Sequence, residues 1–149
     1  MSMIYAGGDM VNSSEKIHIS VVEDLKKYIA DNIGHKKVTA REICELSGYS
    51  RFYMHRIFRQ HTGKSLQQYI NDLRMEKIEY ELIHTSKKIT EIAMNFGYQH
   101  LNELTKRFTV RYGIPPSNFR KIHSAVIIFS DSADSSSPLR HRSPGDRVR

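Results

Sequence analysis

The sequence predicts an all-α chain in which two helix-turn-helix subdomains are joined by a long linker helix. Three observations predict it. Thr39–Thr62 reads as two short helices around a glycine turn, the same pattern returns about fifty residues later, and Ser65–Thr85 between them carries an apolar stripe at helical spacing.

Taken in order, Met1–Ser14 reads as a flexible lead-in, and residues 15–123 as one folded domain. Val21–Ile33 is a first helix whose stripe is Val21/Val22, Leu25 and Tyr28/Ile29. Gly34 ends it, and His35–Lys37 form a loop. The first helix-turn-helix follows over 39–62. Thr39 with Glu42 three residues on predicts a reciprocal capping box, each side chain satisfying a backbone N–H at the other's end. Ile43 and Leu46 give that helix its apolar flank, and Gly48 stands where a chain leaving a helix needs positive φ. Ser50 caps the second helix, which turns Met54, Ile57 and Phe58 inward at i, i+3, i+4. Its outer face carries Arg51, Phe52, His55, Arg56 and Arg59, with no carboxylate from Arg51 to Lys64. Alone, this stretch fits a DNA-reading helix or an ordinary αα-hairpin with a solvated basic face.

The linker helix, over 65–85, has the stripe Leu66, Tyr69/Ile70, Leu73, Ile78 and Leu82. Its other side (Asp72, Arg74, Glu76, Lys77, Glu79) predicts a solvated, salt-bridged face. About 20 helical residues span about 30 Å, close to one turn of B-DNA. The second unit occupies 88–112. Ile92–Ala93 and Gly97–Tyr98 repeat Ile43–Cys44 and Gly48–Tyr49 at an offset of 49. Leu104, Phe108, Gly113 and Phe119 repeat Met54, Phe58, Gly63 and Tyr69 at an offset of 50. Two copies are too few for a solenoid and suit a pseudo-symmetric pair. The second outer face lacks carboxylates beyond Glu103 and carries Lys106, Arg107, Arg111, Arg120 and Lys121. Keeping both the inner apolar set and the outer cation set favours nucleic acid. Pro115–Pro116 begin a short last helix ending near His123. Residues 124–149, rich in Ser, Asp and Arg, predict a disordered tail.

The formal net charge is +7, and residues 15–123, with 19 Lys/Arg against 12 Asp/Glu, carry all of it. Such a balance favours a polyanionic partner. The single cysteine, Cys44, aligns with Ala93 and reads as a small core residue; one thiol offers no disulfide framework and fits a reducing cytoplasm. The opening is too polar for a signal peptide, and no apolar run approaches 18 residues, so no membrane partner is expected. The eight histidines form no H-E-x-x-H or Cys/His metal spacing, and there is no phosphate loop or nucleophile elbow. Neither an enzyme nor a cofactor is expected.

The quoted motifs Ser47–Ile70 (SGYSRFYMHRIFRQHTGKSLQQYI) and Ile89–Arg120, ending G-I-P-P-S-N-F-R, resemble the DNA-binding region of the AraC/XylS family of bacterial transcription regulators. The brevity of the chain and Met75–Ile78 make it most similar to the single-domain MarA–SoxS–Rob-like members. The resemblance covers roughly Val21 to His123. It implies a bacterial, cytoplasmic, nucleoid-associated activator that binds double-stranded DNA and touches RNA polymerase. Both reading helices lie in one chain, so a monomer on an asymmetric site is expected, and neither tail can form a small-molecule pocket. The rival reading is a protein–protein interaction module using its basic helices on an acidic partner.

Residue chemistry assigns roles within that reading. Arg56 can fork onto guanine O6/N7, with a phosphate clamp as its alternative. His55 stands where similar regulators have Gln, and Phe52, where they have Trp, suits thymine methyl groups. Arg51, Arg59 and Lys64 are candidate phosphate contacts. In the second unit Asn102, Thr105 and Lys106 carry over as base-contact candidates, Lys106 replacing an Arg and so losing the fork. Glu103 either repels phosphate or accepts from cytosine N4. Arg107 and Arg111 are further phosphate candidates, as are Ser117, Ser65 and Gln67 at helix N-termini.

Overall fold

The computed structural model describes residues 12–132, with side chains as far as Ser124. Among these residues it has seven α-helices and no strand: α1 (Ser13–Asn32), α2 (Ala40–Ser47), α3 (Arg51–Thr62), α4 (Leu66–His84), α5 (Ile89–Asn95), α6 (Leu101–Tyr112) and α7 (Pro116–Ser132). Helices α2–α3 and α5–α6 are the two helix-turn-helix units, and α4 is the linker.

α1 starts at Ser13 instead of Val21. Asn12 accepts from the Glu15 N–H at 2.7 Å, a cap that the expected lead-in had concealed. The part of that lead-in before Asn12 lies outside the described residues. Val22, Leu25 and Ile29 are buried, and α1 packs on α2 and α3.

Thr39 caps α2 by accepting from the Glu42 N–H at 3.1 Å, but the capping box is only half made. Glu42 Oε1 instead accepts from Lys36 Nζ at 2.6 Å and Tyr28 Oη at 2.8 Å. A cation and a phenol outcompete a backbone N–H, and the exchange ties α2 back to α1. The reciprocal box forms at Ser65–Gln68, where α4 begins. Ile43 and Cys44 are buried, but Leu46, expected inward, is 54% exposed. At 100° per residue the inner face centres between positions 43 and 44, leaving Leu46 about 110° away round the helix. Burial pushes the Cys44 thiol pKa up, as suits a packing residue rather than a nucleophile.

The repeat is visible in the aromatic packing. Phe58 meets Tyr69 edge-on with centroids 5.2 Å apart, and Phe108 meets Phe119 edge-on, also at 5.2 Å. In each unit the core-facing ring of the second helix is thus clasped by the first turn of the helix that follows, which explains the spacing F-x4-G-x5-(Y/F).

α4 buries Leu66, Ile70, Met75, Ile78 and Leu82, with Tyr69 and Leu73 only partly covered. Met75 was missing from the expected stripe because α4 is gripped by both units and buries more than one face. The supposedly solvated side of α4 therefore holds structural contacts. Arg74 donates to the Val38 carbonyl of the first unit at 2.9 Å and lies 5.8 Å from the Tyr98 ring of the second. Tyr112 donates to Glu79 at 2.8 Å, and Asp72 binds both Lys64 and Arg111.

The second unit also touches the loop between α1 and α2, which leads into the first unit. A Cβ on Gly97, whose φ is +89°, would lie 2.8 Å from Lys37 Cβ, so only glycine fits both the backbone angle and the approach. Phe96 of the second unit reaches Gly34, at the start of that loop.

α7 runs on to Ser132, beyond the expected end near His123. The expected tail therefore begins with helix, its apolar 125–129 stretch continuing the turns, while 133–149 lies outside the described residues. Arg120, expected on the outer basic face, turns inward and donates to the carbonyls of Leu82 (3.0 Å), Lys87 (2.7 Å) and Thr85 (3.3 Å). It satisfies the carbonyls that the end of α4 leaves open.

Candidate nucleic-acid interface

The first reading helix, α3, is held by its inner face and capped at both ends. Ser50 accepts from the Tyr53 N–H at 3.2 Å, and Gly63 donates to the Arg59 carbonyl at 2.9 Å in a left-handed turn. With Met54, Ile57 and Phe58 buried, Arg51, Phe52, Arg56 and Arg59 face solvent and His55 is half-buried. Phe52 is 80% exposed, too much for a core residue, and an apolar ring among cations is poised for an apolar group on a polyanion. The Arg56 guanidinium lies 5.3 Å from the centre of the Tyr53 ring. Tyr53 also packs against Tyr49 and is hydrogen-bonded through its hydroxyl to His18 Nε2.

The second reading helix, α6, buries Leu104 and Phe108. His100 makes no side-chain cap. Asn102, Lys106 and Arg107 are exposed and Thr105 is half-buried. Glu103 lies 4.0 Å from Arg107 Nε, one turn on. α6 therefore presents a partly neutralised face where α3 presents an undiluted one.

The phosphate candidates fall into two groups. Arg51, Arg59, Ser117 and Gln67 are exposed, Gln67 donating to Asn71 at 3.1 Å. Gln67 and Arg107, far apart in sequence, line one cleft of about 310 Å³ between the units, together with Lys37, Thr39, Arg74 and Tyr98. The others are already engaged. Ser65 uses both its hydroxyl and its N–H in the capping box. Lys64 Nζ is 2.7 Å from Asp72 Oδ2, and Arg111 Nη1 is 2.8 Å from Asp72 Oδ1. Lys64 first, and Arg111 after it, hold the Asp72 carboxyl below its ordinary range against the opposing pull of partial burial. Asp72 and Glu79 were legible only as members of an alternating charged face, and their partners lie too far along the chain for spacing to reveal.

Among the described residues no cluster of His, Cys, Asp and Glu suits a metal ion, and no helix is long and apolar enough to cross a membrane.

Two basic helices, at equivalent places in a repeated unit, agree with the relatives. Multiple antibiotic resistance protein MarA of Escherichia coli K12 is 29% identical over 99 residues, covering 66% of this chain and 77% of the relative. The C-terminal domain of AraT, a response regulator from Geobacillus stearothermophilus, superposes with a TM-score of 0.64 at 26% identity, covering 68% of this chain and 84% of that one. The DNA-binding domain of AdpA, solved in complex with a target DNA, shares the fold with a TM-score of 0.65 at 18% identity, covering 70% of this chain and 93% of that one. Residues 43–122 match the family model described as a helix-turn-helix domain, of the AraC type. With that match spanning more than half its length, the chain belongs to the AraC/XylS family of helix-turn-helix DNA-binding transcription regulators.

Proposed function

We propose that this chain binds double-stranded DNA as a monomer on an asymmetric site about two helical turns long, with α3 and α6 in successive major-groove segments. One observation carries the reading: both reading helices are fixed to one rigid linker. The 19-residue α4 is about 28 Å long, and Arg74, Gly97 and Arg120 lock both units to it and to each other. A single chain thus spans the distance that a two-fold dimer of single units would otherwise cover.

In this reading Phe52, His55 and Arg56 touch bases in one segment, and Asn102, Thr105 and Lys106 in the other. Arg51, Arg59, Gln67, Arg107 and Ser117 hold phosphates. Lys64, Ser65 and Arg111 join them only by giving up the partners described above. The chain acts as a binding protein in the bacterial cytoplasm, needs no small ligand, and activates transcription by contact with RNA polymerase. The match to the helix-turn-helix family supports the DNA partner, and the AdpA domain, which shares the fold, is described in complex with a target DNA.

Sedimentation of the chain with a single-site duplex tests the stoichiometry: one chain per duplex is expected, and two would overturn the monomer. A salt titration tests the partner class. Affinity should fall with a log–log slope of about −0.9 per phosphate neutralised. A flat response would favour the interaction module with an acidic protein.

A further inference from the structure

The start of α1 reaches the first reading helix. Residues 13–20 form helix before the apolar stripe begins, and one residue of that extension, His18, meets α3. His18 Nε2 is hydrogen-bonded to Tyr53 Oη, and the two rings meet edge-on with centroids 5.5 Å apart. Tyr53 is half-buried and also packs against Tyr49, with ring centroids 5.1 Å apart. Over the Tyr53 ring lies the guanidinium of Arg56, 5.3 Å from its centre.

We propose that His18 is a positioning residue for base recognition: it fixes the Tyr53 ring, and that ring holds Arg56 ready to read guanine. The inference rests on the DNA-binding reading above. An exposed arginine has many rotamers to lose on forming a two-pronged bond, and that loss opposes discrimination. A ring held from beneath reduces it, because the cation rests on the π face with its plane already restricted. Tyr53 performs this only if its own ring is fixed, and Tyr49 gives it one ring contact. His18 supplies a second ring contact and the only hydrogen bond of the Tyr53 hydroxyl among the described residues. The helical extension thereby acts on specificity from outside the helix-turn-helix units.

The test uses the full chain and three substitutions. His18→Leu keeps bulk and removes the polar atom, His18→Gln replaces it with an amide at similar reach, and Tyr53→Phe keeps the ring and removes the hydroxyl. Binding is measured on the preferred duplex, on the same duplex with the guanine opposite Arg56 replaced, and on a scrambled one. His18→Leu and Tyr53→Phe should each lower the guanine preference by about two- to tenfold, the worth of one hydrogen bond. Binding to the scrambled duplex should be unchanged, and His18→Gln should restore most of the preference. In an Arg56→Ala background His18→Leu should have no further effect on that preference, since the relay has lost its end. Equal weakening on all three duplexes would assign His18 a purely structural role, and an independent effect in the Arg56→Ala background would overturn the relay. Failure of the wild type to prefer any duplex would instead refute the DNA reading itself.

Discussion

Asp72 on the linker helix accepts from Arg111 at the end of the second reading helix, Nη1 to Oδ1 at 2.8 Å, while its other oxygen holds Lys64 from the first unit. One carboxylate thus binds a cation from each half of the molecule. Both cations were candidate phosphate contacts, so the same residue that docks the two units restrains their charge.

Asp72→Asn should release Lys64 and loosen Arg111, which keeps Glu76 at 3.9 Å. Affinity for scrambled duplexes should rise, and the salt slope should steepen by up to about two, one for each freed cation. Folding stability should fall by about 1 kcal/mol or less, because the three side chains are partly exposed. Acid should have the same effect. The folded-state pKa of Asp72 is lowered, so its contribution is complete above the ordinary carboxylate range and is lost as the pH falls through the depressed value. Denaturant titrations of wild type and Asp72→Asn should converge at low pH; parallel curves down to acid pH would mean the pairing contributes nothing.

The two reading helices should contribute unequally. Arg56→Ala should cost about 1–3 kcal/mol on the preferred site and relax selection at one or two base positions. Lys106→Ala should weaken all duplexes more evenly and make the salt slope shallower by about one. Selection from a random duplex pool checks this. Equal information in the two half-sites, eroded equally by both variants, would refute the asymmetry.

Glu103 sits on the face of α6 that carries Asn102 and Lys106, and partly occupies Arg107 at 4.0 Å. Glu103→Gln removes a charge, keeps the shape and frees Arg107. Binding to every duplex should tighten. Should the preferred site alone weaken while scrambled duplexes gain, Glu103 is accepting from a cytosine amine.

Arg120→Met should destabilise the fold by about 2–3 kcal/mol, since it leaves the carbonyls at the end of α4 without their donor. Thermal or urea unfolding would measure this. A change within 0.5 kcal/mol, about the level of an ordinary surface substitution, would place Arg120 back on the outer basic face.

Much of this architecture was legible because local rules carry it. Ser50, Gly48 and Gly63 act on their own neighbours, and the inner faces of α3 and α6 follow helical periodicity. What could not be read lies in contacts between distant segments. Asp72, Arg74, Glu79 and Arg120 carry ordinary surface chemistry, and only their partners reveal them as ties within the fold. The start of α1 was missed for a different reason: a single Asn cap precedes a stretch without a clear apolar stripe, so pattern alone gave nothing to extend. At the interface, which side chains face outward was predictable, whereas the prior engagement of Lys64, Ser65 and Arg111 was not.

The bare backbone of Gly97 against Lys37 bears on how such a regulator diversifies. New target sequences are open to it through single exchanges at exposed positions of α3 or α6 such as Phe52, Asn102 and Lys106. A new distance between the two half-sites proposed above is not. Moving them apart by one base pair, roughly 3.4 Å, would mean prying open a seam where there is no room for a methyl group. Descendants of this chain should therefore vary in the words they read while keeping one fixed gap between them.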